Sequence, residues 1–239
     1  IFPGQGSQFV GMGADLYANS RAARAVFDEA DEAVGEPLSR ILFQGPEREL
    51  RKTINSQPAI MAVSLACLKA AEEELGKDRV PKPAMVAGHS LGEYTSLVIA
   101  GVLGLYDGIR LVRERGRLMQ EASEQHPGGM AAVIGLDEVT LEEICQETGA
   151  QIANINSKDQ IVLSGSRMAL ARALDLATAR GAIKSVRLPV SGAFHSYLMW
   201  PALGGLAKAV SETRFHAPAI PVVANVTGSI TALILSYQD

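Results

Sequence analysis

Short apolar runs alternate with longer stretches of helical period through the first half of the chain. Ile1-Phe2 reads as the end of a strand, and Ala84-Met85-Val86-Ala87 as a second one. Residues 20–34, 58–76 and 109–119 read as helices, and so does Glu93–Ala100 after the second strand. Gln57-Pro58 is expected to open its helix, because a proline in the first turn gives up an N–H that would have no partner there anyway. The polar segment 77–83 predicts a loop. Helices alternating with short apolar strands imply an α/β fold built on a parallel sheet.

Residues 130–190 carry a different rhythm. Met130–Leu136 reads as a strand and Thr140–Thr148 as a helix. Gln151–Ile155 and Gln160–Ser164 read as strands joined by the turn Asn156-Ser157-Lys158-Asp159. Arg167–Arg180 then predicts a helix ended by Gly181, and Ala182–Pro189 a last strand. The order β-α-β-β-α-β is that of a ferredoxin-like unit. His126-Pro127-Gly128-Gly129 looks like the linker leading into it and Ser191-Gly192 like the linker leading out. The expected organisation is therefore a hydrolase-like core over 1–127 and 191–239, with a ferredoxin-like subdomain inserted at 128–190.

A chain of 239 residues is long enough to bury a full core of this kind. Its net charge of −4 argues against general nucleic-acid binding and leaves room only for a local basic patch. Cys67 and Cys145 lie in helix-like runs without metal-ligand spacing, so they read as small buried apolar residues. No run of eighteen apolar residues predicts a membrane span, and no signal peptide is visible. The chain starts on an apolar residue, Ile1, without an initiator methionine. Further upstream residues, or a targeting segment, are therefore expected.

The candidate chemistry begins at Gly88-His89-Ser90-Leu91-Gly92, a G-x-S-x-G pentapeptide between an apolar run and a helix-like run. That is the setting of a nucleophile elbow, in which glycines allow a sharp turn and the serine hydroxyl stands exposed at a helix N-terminus. A serine nucleophile needs a base. Of the four histidines, His126 sits in a Pro-Gly linker, His216 in a surface-like loop, and His89 next to Ser90, where neighbouring side chains diverge. His195 lies at a loop-to-helix junction after the last subdomain strand and is the best candidate base. No acid is obviously placed to orient it, which points away from a Ser-His-Asp triad.

On a helical wheel over 109–119, Arg115 falls in the middle of the apolar half, away from Arg110, Arg113, Glu114 and Arg117. An inward-pointing arginine needs an anion. An internal Asp or Glu and a substrate carboxylate both meet that need, and the spacing does not choose between them. Gly4-Gln5-Gly6-Ser7-Gln8 lacks the Gly-Lys-Ser/Thr ending of a phosphate loop, but its backbone N–H groups could face an oxyanion.

Taken together, Phe2–Gln8, Gln57-Pro58-Ala59, Gly88–Tyr94, Arg115-Gly116, Asn154–Ser157, Gly192–Ser196 and Asn225–Gly228 resemble the malonyl-CoA:acyl carrier protein transacylase family. The likeness runs from residue 2 to about 228, and it extends to the acyltransferase domains of polyketide and fatty acid synthases. It implies a ping-pong transfer of a malonyl group from malonyl-CoA to the phosphopantetheine thiol of acyl carrier protein, through an ester on Ser90. His195 would be the base of a Ser-His dyad, held by a backbone carbonyl instead of an acid. The N–H groups of Gln5 and Leu91 would form the oxyanion hole. Arg115 would pair with the malonyl carboxylate, with Gln57, Asn156 and Phe194 also in the substrate site. The Gly-Ala-Phe-His form resembles malonyl-selective members, and Phe194 would crowd the α-methyl group of methylmalonyl.

The resemblance further implies no bound cofactor, malonyl-CoA as the substrate, acyl carrier protein as the partner, and a monomer in the cytoplasm. A plastid or mitochondrion would follow from an upstream targeting segment. Arg113, Arg117, Lys184 and Arg187 are candidates for a basic carrier-protein contact. The family normally continues for tens of residues beyond its Asn-Val-Thr-Gly motif, so the C-terminus reads as short. Ala232–Tyr237 does not read as the family's usual helix, Gln238 takes no role, and Trp200 stands where a charged residue is common. Two other readings keep the same residues: a serine hydrolase or thioesterase of the α/β-hydrolase or patatin-like kind, and a non-catalytic docking subunit.

Overall fold

The computed structural model describes residues 1–231; Ala232–Tyr237 and Gln238 lie outside the described residues. In chain order the main elements are α1 (Ala14–Asn19), α2 (Arg21–Val34), α3 (Leu38–Gln44), α4 (Glu47–Leu50), α5 (Thr53–Leu75), β1 (Val86–Ala87), α6 (Leu91–Ile99) and α7 (Leu105–Gln125). They continue with β2 (Gly128–Ile134), α8 (Glu138–Thr148), β3 (Gln151–Ser157), β4 (Gln160–Ser166), α9 (Arg167–Ala179), β5 (Lys184–Arg187), α10 (Trp200–Ser211), β6 (Val222–Val223) and β7 (Ile230–Thr231). The fold is mixed α/β, with one sheet containing a parallel pair and one fully antiparallel sheet. Two compact units emerge: Ile1–Arg117 with the chain from Ala207 onward, and Leu118–Leu206. No helix among the described residues is long and apolar enough to cross a membrane.

In the first unit helices carry the mass. α2 buries Ala23, Val26, Phe27 and Ala30, an i, i+3, i+4, i+7 stripe. Ser20 caps this helix by accepting the Ala23 N–H at 3.0 Å, and Gly35 ends it in the left-handed region. Phe27, Leu38, Leu42, Leu50, Met61, Leu91 and Ile109 are fully buried in this unit. The sheet here is small: β1 pairs in parallel with β6, β7 adds antiparallel to β6, and Phe2 bridges in parallel to Gly88.

The helix expected to open at Pro58 instead begins at Thr53, which puts Pro58 in its interior. Proline removes the N–H that the Ile54 carbonyl would otherwise accept. Arg113 of α7 supplies the missing donor, its Nη1 lying 3.2 Å from that carbonyl oxygen. The two helices can approach this closely because residue 116 is glycine: a Cβ there would lie 2.6 Å from the Thr53 carbonyl oxygen.

The second unit is built on a four-stranded sheet in the order β3-β4-β2-β5, all antiparallel, with an unbroken register between β2 and β4 and two register shifts between β3 and β4. Ala131, Val133, Ile161 and Leu163 face one way, onto Leu141 and Ile144 of α8 and Leu170 and Ala173 of α9. Met130, Ala132 and Val162 alternate onto the other face and pack with Met119 and Phe194. Burial on both faces is why β2 is an unbroken apolar run. Gly128 and Gly129, expected in a linker, are instead the first rungs of β2, opposite Ser166 and Gly165. A Cβ on Gly128 would lie 2.5 Å from the Gly165 carbonyl oxygen, so glycine serves close packing at this position.

Candidate active site

β1 runs into the G-x-S-x-G turn, and α6 leaves it at Leu91. Ser90 sits at φ 52°, ψ −106°, a conformation L residues rarely adopt, which costs about 1–3 kcal/mol. The flanking glycines are dictated by contact. A Cβ on Gly88 would fall 1.9 Å from the Gly92 carbonyl carbon, and one on Gly92 would fall 2.5 Å from the Phe2 carbonyl oxygen. The first turn of α6 thus lies directly on the strand ends, and the serine is turned outward above them.

Ser90 is braced by Asn225, which follows β6. Its Oδ1 accepts the Ser90 N–H at 2.7 Å, and its Nδ2 donates to the Gly88 carbonyl at 2.6 Å. The Gly92 N–H goes to the His89 carbonyl and the Glu93 N–H to the Ser90 carbonyl. Leu91 N–H, at the start of α6, has no acceptor among the described residues, and neither does Gln5 N–H. The Gln5 side chain donates to Thr53 Oγ1 at 3.2 Å. A Cβ on Gly4 would lie 2.7 Å from the His89 carbonyl oxygen, which sets how closely this loop passes the elbow.

Arg115 points inward, as its place on the wheel requires, and is 8% exposed. Its Nη1 donates to Gln57 Oε1 at 2.6 Å and its Nη2 to Ser90 Oγ at 3.0 Å. Its Cζ stands 5.4 Å from the Tyr94 ring centroid. No carboxylate lies within ion-pairing distance of the guanidinium among the described residues; Glu93 acts on it only from further away. Burial pushes its pKa down, while Tyr94 and Glu93 favour the charged form. Arginine stays protonated regardless, so a positive charge is held beside the Ser90 hydroxyl. Burial also raises the Glu93 pKa, against the lowering effects of the Asn225 N–H and of Arg115.

In the second unit His195 has φ 58°; it and Ser90 are the two non-glycine residues with positive φ among the described residues. Its neighbours fix it. Phe194 is buried against Met119, Met130, Ala132 and Val162, and Ser196 Oγ donates to the Ala193 carbonyl at 2.7 Å. Gly192 is required because a Cβ there would lie 2.0 Å from Ser123 Oγ. An exposed histidine is thereby held between two buried anchors. Asn156 lies at the exposed end of β3, its Nδ2 donating to Gln160 Oε1 at 3.1 Å.

The first unit therefore links Ser90, Arg115 and Gln57 by hydrogen bonds, with Gln5 and Leu91 as available N–H donors. Phe194, His195 and Asn156 belong to the second unit. Asn225, Glu93 and Tyr94 are additions to the sequence-derived set; all three stand inside recognised motifs without an assigned task. Of the candidate docking arginines, Arg113 is committed to Ile54, Asn55 and Glu36, and Arg117 to Glu114. Among the described residues no group of His, Cys, Asp or Glu is arranged to hold a metal ion.

Residues 1–231 match the acyl transferase domain family. The malonyl CoA-acyl carrier protein transacylase of Salmonella typhimurium is 44% identical over 230 residues, covering 95% of this chain and 73% of that protein. The crystal structure of acyl-carrier-protein-S-malonyltransferase from Bartonella henselae superposes with a TM-score of 0.92 at 46% identity, covering 99% of this chain and 77% of that one. A malonyl-transacylase solved in complex with its type II polyketide synthase acyl-carrier protein superposes with a TM-score of 0.90 at 41% identity, covering 96% and 74%. With the elbow, the buried arginine and these similarities together, the chain belongs to the acyl transferase domain family and, within it, to the malonyl-CoA:acyl carrier protein transacylases.

Proposed function

We propose that this protein moves a malonyl group from malonyl-CoA to the phosphopantetheine thiol of acyl carrier protein by way of an ester on Ser90. The observation that carries the reading is Arg115: a buried guanidinium, without a carboxylate partner among the described residues, donating to the hydroxyl of an elbow serine. A malonyl carboxylate is the anion that satisfies it, and taking that place positions the thioester carbonyl over Ser90 Oγ.

In the first half-reaction Ser90 Oγ forms a bond to the thioester carbonyl carbon as His195 takes its proton. The C–S bond then breaks, and coenzyme A leaves with the proton from His195. In the second, the carrier-protein thiol gives its proton to His195 and attacks the ester, and Ser90 Oγ departs with that proton. Gln5 and Leu91 N–H groups receive the oxyanion of each tetrahedral intermediate, Leu91 with the added field of the α6 N-terminus. Gln57 holds the guanidinium of Arg115 in place, and Asn156 and Phe194 complete the substrate site. Phe194 opposes an α-methyl substituent; equal turnover of malonyl- and methylmalonyl-CoA would remove that role. No cofactor is needed.

In this proposal the core is hydrolase-like over 1–127 and 191–239, and residues 128–190 are a ferredoxin-like subdomain. The β-α-β-β-α-β order and the β3-β4-β2-β5 sheet support the latter. A monomer acting in the cytoplasm completes the reading. Malonyl-CoA, carrier protein and enzyme are mixed, and malonyl-carrier protein and free malonate are quantified for wild type and Ser90→Ala. The expected products are malonyl-carrier protein from the wild type and a loss of about 1,000-fold or more for Ser90→Ala. Free malonate as the main product would favour the hydrolase, and absence of malonyl on wild-type Ser90 by mass spectrometry would favour the docking subunit.

A further inference from the structure

We infer that Asn225 is a positioning residue for the nucleophile: its side-chain amide fixes the Ser90 backbone and thereby decides which N–H groups are left to meet the oxyanion. The inference rests on Ser90 being the acylated residue. Three contacts carry it. Asn225 Oδ1 accepts the Ser90 N–H, its Nδ2 donates to the Gly88 carbonyl, and its backbone N–H approaches Glu93 Oε2 at 3.4 Å.

The amide thus spans the elbow from the residue two before the serine to the serine itself. A turn at φ 52° stores conformational strain and persists only where surrounding contacts hold it. No cap from Ser90's own side chain supports the start of α6. Beside the Arg115 contact to Ser90 Oγ, the backbone of the turn is braced by a residue 135 positions away, on the loop after β6.

The second consequence concerns the donors. With Ser90 N–H given to Asn225, Gly92 N–H to His89 and Glu93 N–H to Ser90, Leu91 N–H remains at the head of α6 without an acceptor among the described residues. Releasing the Asn225 amide frees the Ser90 N–H and lets the elbow relax, which moves both Oγ and Leu91 N–H. Arg115 feels this through its hydrogen bond to Ser90 Oγ but keeps the one to Gln57, and both residues are carried on α7 and α5, so substrate carboxylate binding changes less than acylation.

The test uses Asn225→Ala and the near-isosteric Asn225→Asp, which keeps an acceptor for Ser90 N–H but has no donor for the Gly88 carbonyl when ionised. Ser90 acylation by saturating malonyl-CoA is followed in the first turnover by rapid quenching and mass spectrometry, beside KM and thermal unfolding. Acylation is expected to slow roughly 10- to 100-fold in Asn225→Ala, as for a nucleophile displaced by a fraction of an ångström to an ångström. Asn225→Asp is expected to fall less, with KM for malonyl-CoA within about threefold in both. Folded Asn225→Ala that acylates within about twofold of wild type, whatever its melting temperature, overturns the role. A parallel Ser90→Ala sample separates the failures. If it still acquires malonyl, the nucleophile assignment fails; if it stays unmodified while Asn225→Ala matches wild type, only the positioning role fails.

Discussion

The two units hold their candidate residues by opposite means. In Leu118–Leu206, the seven-residue strands β2 and β4 pair rung by rung, and the segment bearing His195 is anchored by burial of Phe194 and a short turn capped by Ser196. In the unit bearing Ser90, the strands are two residues long and backbone lies directly on backbone at Gly88, Gly92 and Gly116, where the sheet of the other unit has one such contact, Gly128 on the Gly165 carbonyl. A regular sheet spreads its specification over many equivalent contacts. The elbow concentrates it in a few that have no substitute, and that is where the strained serine sits.

The sharpest way to break this comparison is one methyl group in each unit. In Gly88→Ala the new Cβ would meet the Gly92 carbonyl at 1.9 Å, where the obstacle is backbone that cannot rotate away. The expected loss exceeds about 4 kcal/mol, or the unit fails to fold. Gly129→Ala, in the first rungs of β2, meets nothing closer than Leu170 Cδ1 at 3.6 Å. It should stay within about 1 kcal/mol of wild type, with any gain coming from the stiffer unfolded chain. Thermal unfolding of the two variants measures the contrast, and similar melting temperatures would remove the distinction drawn between the units.

A smaller effect separates two arginines of α7. Arg113→Met removes the donor that answers the carbonyl left over by Pro58, and should lower stability by about 1–3 kcal/mol while transfer continues. Arg115→Met removes a buried charge without a carboxylate partner among the described residues, so stability should change little. Its kcat/KM for malonyl-CoA should fall about 100-fold, equivalent to about 2.7 kcal/mol of transition-state stabilisation. Denaturant titration and transfer kinetics on both variants test the exchange of roles; an Arg115→Met protein that keeps its preference for carboxylated acyl groups would deny Arg115 the substrate.

The same contrast governs what could be read from the chain. The strands and helices of 128–187 follow from alternation, capping residues and helix-ending glycines, all local signals. Arg115 was legible because a helical wheel needs only one helix. Gly128 and Gly129 look like a linker because a glycine packed against Gly165 is, in one dimension, the same as a hinge. The chain alone puts the start of α5 too late, because a donor to the Ile54 carbonyl sits on α7, 59 positions away. Asn225 stood in a recognised motif, but its task depends on contacts more than 130 positions apart. Local chemistry announces the serine, whereas what holds it is a tertiary contact.

The smallest expected effect is a pair of opposite pH responses, one in each unit. Burial raises the Glu93 pKa, so in the folded state this carboxyl binds its proton more readily than when unfolded. Its contribution to stability is fully present below the ordinary value of 4.5 and is lost as pH rises through the raised folded value. Asp137, the cap of α8, behaves the other way. Accepting the Thr140 N–H at 2.8 Å lowers its pKa, so its contribution is present above the ordinary value of 3.8 and fades as pH falls through the depressed one. Hydrogen exchange read by mass spectrometry, corrected for intrinsic rates, should show α6 gaining protection and α8 losing it on acidification. Glu93→Gln should flatten the first response and Asp137→Asn the second, each leaving the other in place. A common response of α6 and α8 in both variants would mean that acid acts on the chain as a whole, and that neither carboxyl is the local reporter its surroundings make it.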